Sequence, residues 1–83
     1  MMRVFRVKVE VKLKAVVLDP QGKTVLGALH NLGYLEVQET RIGKLIELTV
    51  EDESEQKVRE RVKEMCKKLL SNPVIEDFVI KIE

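Results

Sequence analysis

The sequence predicts an α+β domain: a two-layer sandwich of order β-α-β-β-α-β, with two helices on one face of a four-stranded, mostly antiparallel sheet. Three observations predict it. Residues 5–14 alternate without a break, Phe5, Val7, Val9, Val11 and Leu13 apolar against Arg6, Lys8, Glu10, Lys12 and Lys14 polar. Two later stretches carry apolar residues at helical spacing between start and stop signals. Two alternating runs flank Arg41-Ile42-Gly43-Lys44, and another closes the chain. A ferredoxin-like strand order is the first expectation for this pattern.

The first strand sets the sheet. Successive side chains on a strand point to opposite faces, so its five apolar groups share one side. Alternation, as opposed to a continuous apolar run, marks a sheet covered on one face only. Asp19 is then an N-cap and Pro20 suits the first helical position, so a helix is expected over 20–32. Val25, Ala28, Leu29 and Leu32 form its apolar face, and Gly33 ends it. Residues 34–41 read as the second strand, with Leu35 and Val37 inward, and 44–51 as the third, with Ile46, Leu48 and Val50 inward. Gly43, supplying a positive φ, is expected to close a tight hairpin between them.

Asp52 or Ser54 caps the second helix, and the acids beside them suit the positive end of its dipole. That helix is expected to reach Leu70, with Val58, Val62, Met65, Cys66, Leu69 and Leu70 as its apolar stripe. Asn72-Pro73 stops it. The last strand covers 77–82, with Phe78, Ile80 and Ile82 inward.

The length of 83 residues bounds this to one domain, 1–83. Fifteen basic against fourteen acidic residues leave a net charge of +1, which argues against a general nucleic-acid or anionic-membrane binder. The single cysteine, Cys66, excludes an intrachain disulfide and points to a reducing compartment. Met1 to Arg6 has no apolar core of a signal peptide, and no run approaches the ~18 apolar residues of a membrane span. Cytoplasmic location is the expectation.

Each candidate for chemistry is outweighed by a structural reading. Gly22-Lys23-Thr24 resembles the end of a phosphate-binding loop, but Val17 stands where that motif needs glycine. Cys66 and His30 are the one thiol and the one imidazole. Cys66 falls in an apolar stripe and reads as a small hydrophobe; His30 lies off the apolar face of its helix and reads as solvated. One Cys and one His do not make a tetrahedral metal set. The aromatics are Phe5, Tyr34 and Phe78, two of them pointing to the core, which is not the stacking platform of an RNA-recognition sheet. No catalytic, cofactor-binding or metal-binding residue is expected. Tyr34, Leu45 and Val79, with Ile42 at the expected hairpin tip, put several apolar groups on the open side of the sheet. Together with the small size they point to self-association.

Three stretches carry a resemblance. They are Val17-Leu18-Asp19-Pro20-Gln21-Gly22 with Ala28-Leu29; Val37 through Arg41-Ile42-Gly43-Lys44 and Glu47; and Met65-Cys66-Lys67-Lys68-Leu69-Leu70-Ser71-Asn72-Pro73-Val74-Ile75-Glu76-Asp77. Together they resemble the PurS family, the small subunit of phosphoribosylformylglycinamidine synthase. The resemblance implies a non-catalytic accessory subunit in de novo purine (IMP) biosynthesis. It would bridge a glutaminase subunit and a large synthase subunit as a homo-oligomer, dimer or tetramer, and support ammonia transfer between them. ATP and Mg would belong to the large partner subunit, with none bound here. Against that background Asp19, Gln21 and Gly22 at the helix start, and Arg41, Gly43 and Lys44 at the hairpin, are the candidate subunit-interface residues. The alternative function is a small-ligand-binding regulatory domain acting as a dimer, since fold does not fix function.

Overall fold

A computed structural model describes residues 1–83, in the order β1 (Arg3–Leu13), α1 (Pro20–Asn31), β2 (Gly43–Asp52), α2 (Glu55–Met65), a π-helical turn (Cys66–Leu70) and β3 (Glu76–Ile82). The sheet has three strands in the order β2-β1-β3, all antiparallel neighbours. The alternating first strand is its centre, as an alternating run flanked on both sides should be. Val7 lies between Leu48 and Ile82, Val9 between Ile46 and Ile80, and Val11 next to Phe78. These side chains share one face because directly paired residues point the same way.

Helix α2 lies over that face. Val58, Val62 and Cys66, spaced by four, are fully buried against Phe5, Val7, Val9 and Val11. Ile46, Leu48, Val50, Phe78, Ile80 and Ile82 pack against this cluster but stay half-buried. One helix running above the central strand leaves both flanks of the sheet partly uncovered. Ser54 caps α2, its Oγ accepting from the Lys57 N–H at 3.2 Å. The helix ends in the π turn, where the Ser71 N–H and hydroxyl both donate to the Cys66 carbonyl, each at 2.9 Å. The widened turn rotates the apolar stripe, so Leu69, expected in the core, is exposed while Leu70 packs inward.

Two expectations fail at the other end. Residues 34–41 do not form a strand: a turn follows α1, and residues 37–42 run without turn or bend into β2 with no strand partner. The sheet is therefore three-stranded instead of four-stranded. There is no hairpin at Gly43 either. Gly43 is the first residue of β2, paired with Lys12, and the only positive φ in the chain belongs to Gly33, at 102°. The physical reason lies in side-chain bonds at Asp19 and Arg41, described below, which hold the chain straight at this point.

Nor does α1 cover the sheet. It makes no more than glancing contact with any strand or with α2, and Gly22 is its single buried residue. It projects past the end of the sheet, and the molecule measures 54 × 25 × 14 Å. The helix itself forms as the sequence implies. Asp19 caps its start, Pro20 occupies the first position, and Gly33 closes a Schellman motif, with Gly33 N–H to His30 carbonyl and Tyr34 N–H to Leu29 carbonyl, both 3.0 Å. No helix is long and apolar enough to cross a membrane.

Candidate functional site

The most organised polar cluster joins the arm, made of α1 and residues 37–42, to the sheet. Asp19 is at its centre. Its Oδ1 accepts from the Gly22 N–H at 2.9 Å, the bond any aspartate cap makes. Its Oδ2 accepts from the Ile42 N–H at 2.8 Å, a residue 23 positions away. One carboxylate thereby caps α1 and ties it to the start of β2. The side chain is buried, and the Ile42 N–H, followed by that of Gly22, holds its carboxyl below the usual carboxylate range.

Arg41 works from the opposite side. One guanidinium nitrogen lies 2.9 Å from the Lys14 carbonyl and 3.2 Å from the Val17 carbonyl, with Leu13 at 3.5 Å. The Lys14 and Val17 carbonyls belong to the loop between β1 and α1, and Leu13 is the last residue of β1; the Lys14 carbonyl also accepts from the Val17 N–H at 2.9 Å. The positive guanidinium also contributes to lowering the Asp19 carboxyl. Arg41 and Asp19 together clamp residues 40–42 against the loop and prevent a reversal into a hairpin.

Both glycines of the candidate set are close-approach positions. A Cβ on Gly22 would lie against the Thr40 carbonyl and 2.7 Å from Asp19 Oδ2. A Cβ on Gly43 would lie 2.6 Å from the Val11 carbonyl and 2.7 Å from the Lys12 side chain. Neither needs a positive φ; each lets two backbones meet. Gln21 and Lys44 are exposed and line a cleft with Ile42, Gly43 and Glu76. All six candidate residues therefore gather at the root of the arm. Asp19, Gly22 and Arg41 are spent on bonds within the chain, whereas Gln21 and Lys44 face outward.

Sequence reasoning missed two participants. His30 is not free in solvent: its Nε2 lies 2.7 Å from the Val37 carbonyl, so this nitrogen carries the proton and clips residues 37–42 to α1. Thr40 contributes a backbone carbonyl, which no side-chain pattern records. Cys66 is wholly buried among Val58 and Val62, and burial pushes its thiol up, away from the thiolate a nucleophile requires.

A three-stranded antiparallel sheet under one helix, with a second helix held out on a clamped arm, defines a class of small α+β domain. Comparison with known proteins gives the particular family. The family model of PurS, phosphoribosylformylglycinamidine (FGAM) synthase, matches residues 6–83. The chain is 54% identical over 79 residues to the phosphoribosylformylglycinamidine synthase subunit PurS of Bacillus subtilis, covering 95% of this chain and 93% of that one. Among solved structures it is similar to PurS of Methanocaldococcus jannaschii, described as one of the subunits of formylglycinamide ribonucleotide amidotransferase in the purine biosynthetic pathway (48% identity, 95% of each chain, TM-score 0.86). It is also similar to a chain in the structure of PurLQS from Thermotoga maritima, at 36% identity and a TM-score of 0.90, over 98% of this chain and 99% of that one. The chain belongs to the PurS family.

Proposed function

We propose that this protein is the small accessory subunit of a phosphoribosylformylglycinamidine synthase, acting in de novo purine biosynthesis in the cytoplasm. It binds no cofactor of its own; ATP and Mg are used by the large synthase subunit. As a homo-oligomer it bridges that subunit and the glutaminase, and so supports transfer of ammonia between them. Ammonia released in the open would protonate and diffuse away, so holding two sites in register serves catalysis without a catalytic group. The six residues at the root of the arm belong to the bridging surface in this reading. Gln21 and Lys44 touch partners; Asp19, Gly22, Arg41 and Gly43 fix the backbone that presents them.

The observation that carries this reading is the end-to-end match, in sequence and in fold, to a chain of the Thermotoga maritima PurLQS structure. The test is reconstitution with the cognate glutaminase and synthase subunits. Glutamine-dependent amidation is expected to require this chain, while amidation driven by added ammonia is expected to proceed largely without it. Equal glutamine-dependent rates with and without the chain would remove the proposal.

A further inference from the structure

We propose that His30 is a positioning residue for ammonia transfer. It pins the arm into a rigid strut, and the pin keeps the release of ammonia coupled to its use. The inference rests on the accessory role proposed above and assigns one part of that role to a single side chain.

The path of the chain leads to it. Helix α1 runs out from Asp19, the chain turns beyond Gly33, and residues 37–42 return to the sheet. A chain returning beside a helix has no ladder to hold it. The N–H groups of residues 38–41 find no backbone acceptor in this chain. Packing does not close the gap either. A cleft of about 440 Å³ is lined by Lys23 and Leu26 of α1 on one side and by Gln38, Glu39 and Thr40 of the returning chain on the other.

The arm is therefore held by side-chain bonds at its two ends. At the root, Asp19 Oδ2 accepts from the Ile42 N–H at 2.8 Å, and Arg41 donates to the Lys14 and Val17 carbonyls at 2.9 and 3.2 Å. At the tip, His30 Nε2 donates to the Val37 carbonyl at 2.7 Å. No other side-chain bond or ion pair joins the far end of α1 to the returning chain. At 1.5 Å per helical residue, Asp19 and His30 stand about 16 Å apart along α1. A body fixed at one end pivots; a body fixed at two points that far apart does not.

The orientation of the arm has no other source. Helix α1 makes only glancing contact with the strands and α2, so the core does not set its angle. Its exposed apolar side chains, Val25, Leu32, Tyr34 and Leu35, point wherever the two attachments aim them. A bridging subunit that pivots at its root lets two sites drift out of register, and a misplacement of about 1 Å at a reacting centre can cost on the order of a hundredfold in rate.

The loss has a particular signature. Removing one hydrogen bond between neutral groups multiplies the unpinned population about fivefold. Ammonia escapes from the unpinned minority, so escape rises by the same factor. Affinity for the companion subunits follows the pinned majority and hardly changes. A merely structural role would instead lower assembly, and with it glutamine hydrolysis and amidation in the same proportion.

The test uses the synthase reconstituted with the full-length chain as wild type, His30→Ala, His30→Asn and His30→Gln, with glutamate and amidated product measured in the same sample. The amide nitrogen of glutamine reaches the place of His Nε2 and that of asparagine only the place of Nδ1; both are donors. Glutamate released in excess of product is expected to rise about fivefold with His30→Ala and His30→Asn, with affinity for the companions within about twofold of wild type. His30→Gln is expected to restore the wild-type ratio. An unchanged ratio in His30→Ala, or a His30→Gln variant that leaks as much as His30→Ala, overturns the assignment. If omitting the chain altogether leaves glutamine-dependent amidation unchanged, the accessory role fails and this inference with it. A required wild-type chain beside a tightly coupled His30→Ala removes this inference alone.

Discussion

At the scale of single residues, Asp19 shows how one side chain sets the course of the chain. Its role as a helix cap is legible in Asp19-Pro20, because cap and first-position preferences are local. Its grip on Ile42 is not legible, because nothing in a sequence says where a second carboxylate oxygen will go. That grip has a pH signature. Both N–H donors favour the ionised form, so the folded-state carboxyl titrates below its unfolded value. The stabilisation is therefore fully present above the unfolded value of about 3.9 and is lost as pH falls through the lower folded value. Asp19→Ala is expected to lower stability at neutral pH and to flatten the acid limb of the stability profile, as followed by urea unfolding across pH 2–7. An acid limb identical to that of the wild type would contradict this assignment. Gly22→Ala tests the same junction by size. Its methyl would meet the Thr40 carbonyl, which is backbone and cannot rotate aside. A loss of about 1–3 kcal/mol is expected, as for overpacking elsewhere, with amide exchange rising first in residues 37–42.

At the scale of elements, legibility follows how local the deciding forces are. The burial pattern of β1, both helix starts and the Gly33 stop were all readable from spacing and capping chemistry. The core under α2 was readable too. Val62→Ala is expected to cost about 2 kcal/mol, the removal of two fully buried methyl-sized groups, measured as a shift of the unfolding midpoint in denaturant. The hairpin was misread because Gly43 has two possible uses that look alike in sequence. A glycine that permits a positive φ and a glycine that permits close backbone approach give the same letter. Here Gly43 serves the second use against Val11. The turn signal Arg41-Ile42-Gly43-Lys44 gave way to the bonds that Arg41 makes to the Lys14 and Val17 carbonyls of the β1–α1 loop and to the Leu13 carbonyl at the end of β1. The π turn was equally hidden, and Leu69, expected in the core, lies exposed within it. The six candidate interface residues, three from the helix start and three from the expected hairpin, lie together at the root of the arm, where Asp19 and Arg41 clamp it to the sheet.

At the scale of the whole molecule, the sequence holds a pattern that one copy does not complete. The local signals specify four strands and two helices over a sheet; the chain supplies three strands and one covering helix, and holds the remainder clear of itself. If a second copy completes each sheet, stability becomes a property of concentration. Each tenfold dilution then removes about 1.4 kcal/mol from the dimer. For a cooperative unit of twice this length that is a fall of roughly 3–6 °C in Tm. Leu32→Ala makes the point sharper, because Leu32 is 73% exposed in the single chain. A surface residue truncated in isolation changes stability by no more than about 0.5 kcal/mol, whereas a leucine buried against a second copy loses about 2–5 kcal/mol. Scanning calorimetry across a hundredfold range of concentration, on the wild type and on Leu32→Ala, reads both effects together. A dilution-dependent Tm with a large Leu32→Ala deficit is the expected result. A Tm indifferent to dilution, with Leu32→Ala matching the wild type, would mean that the exposed apolar face of the arm meets no second copy of this chain.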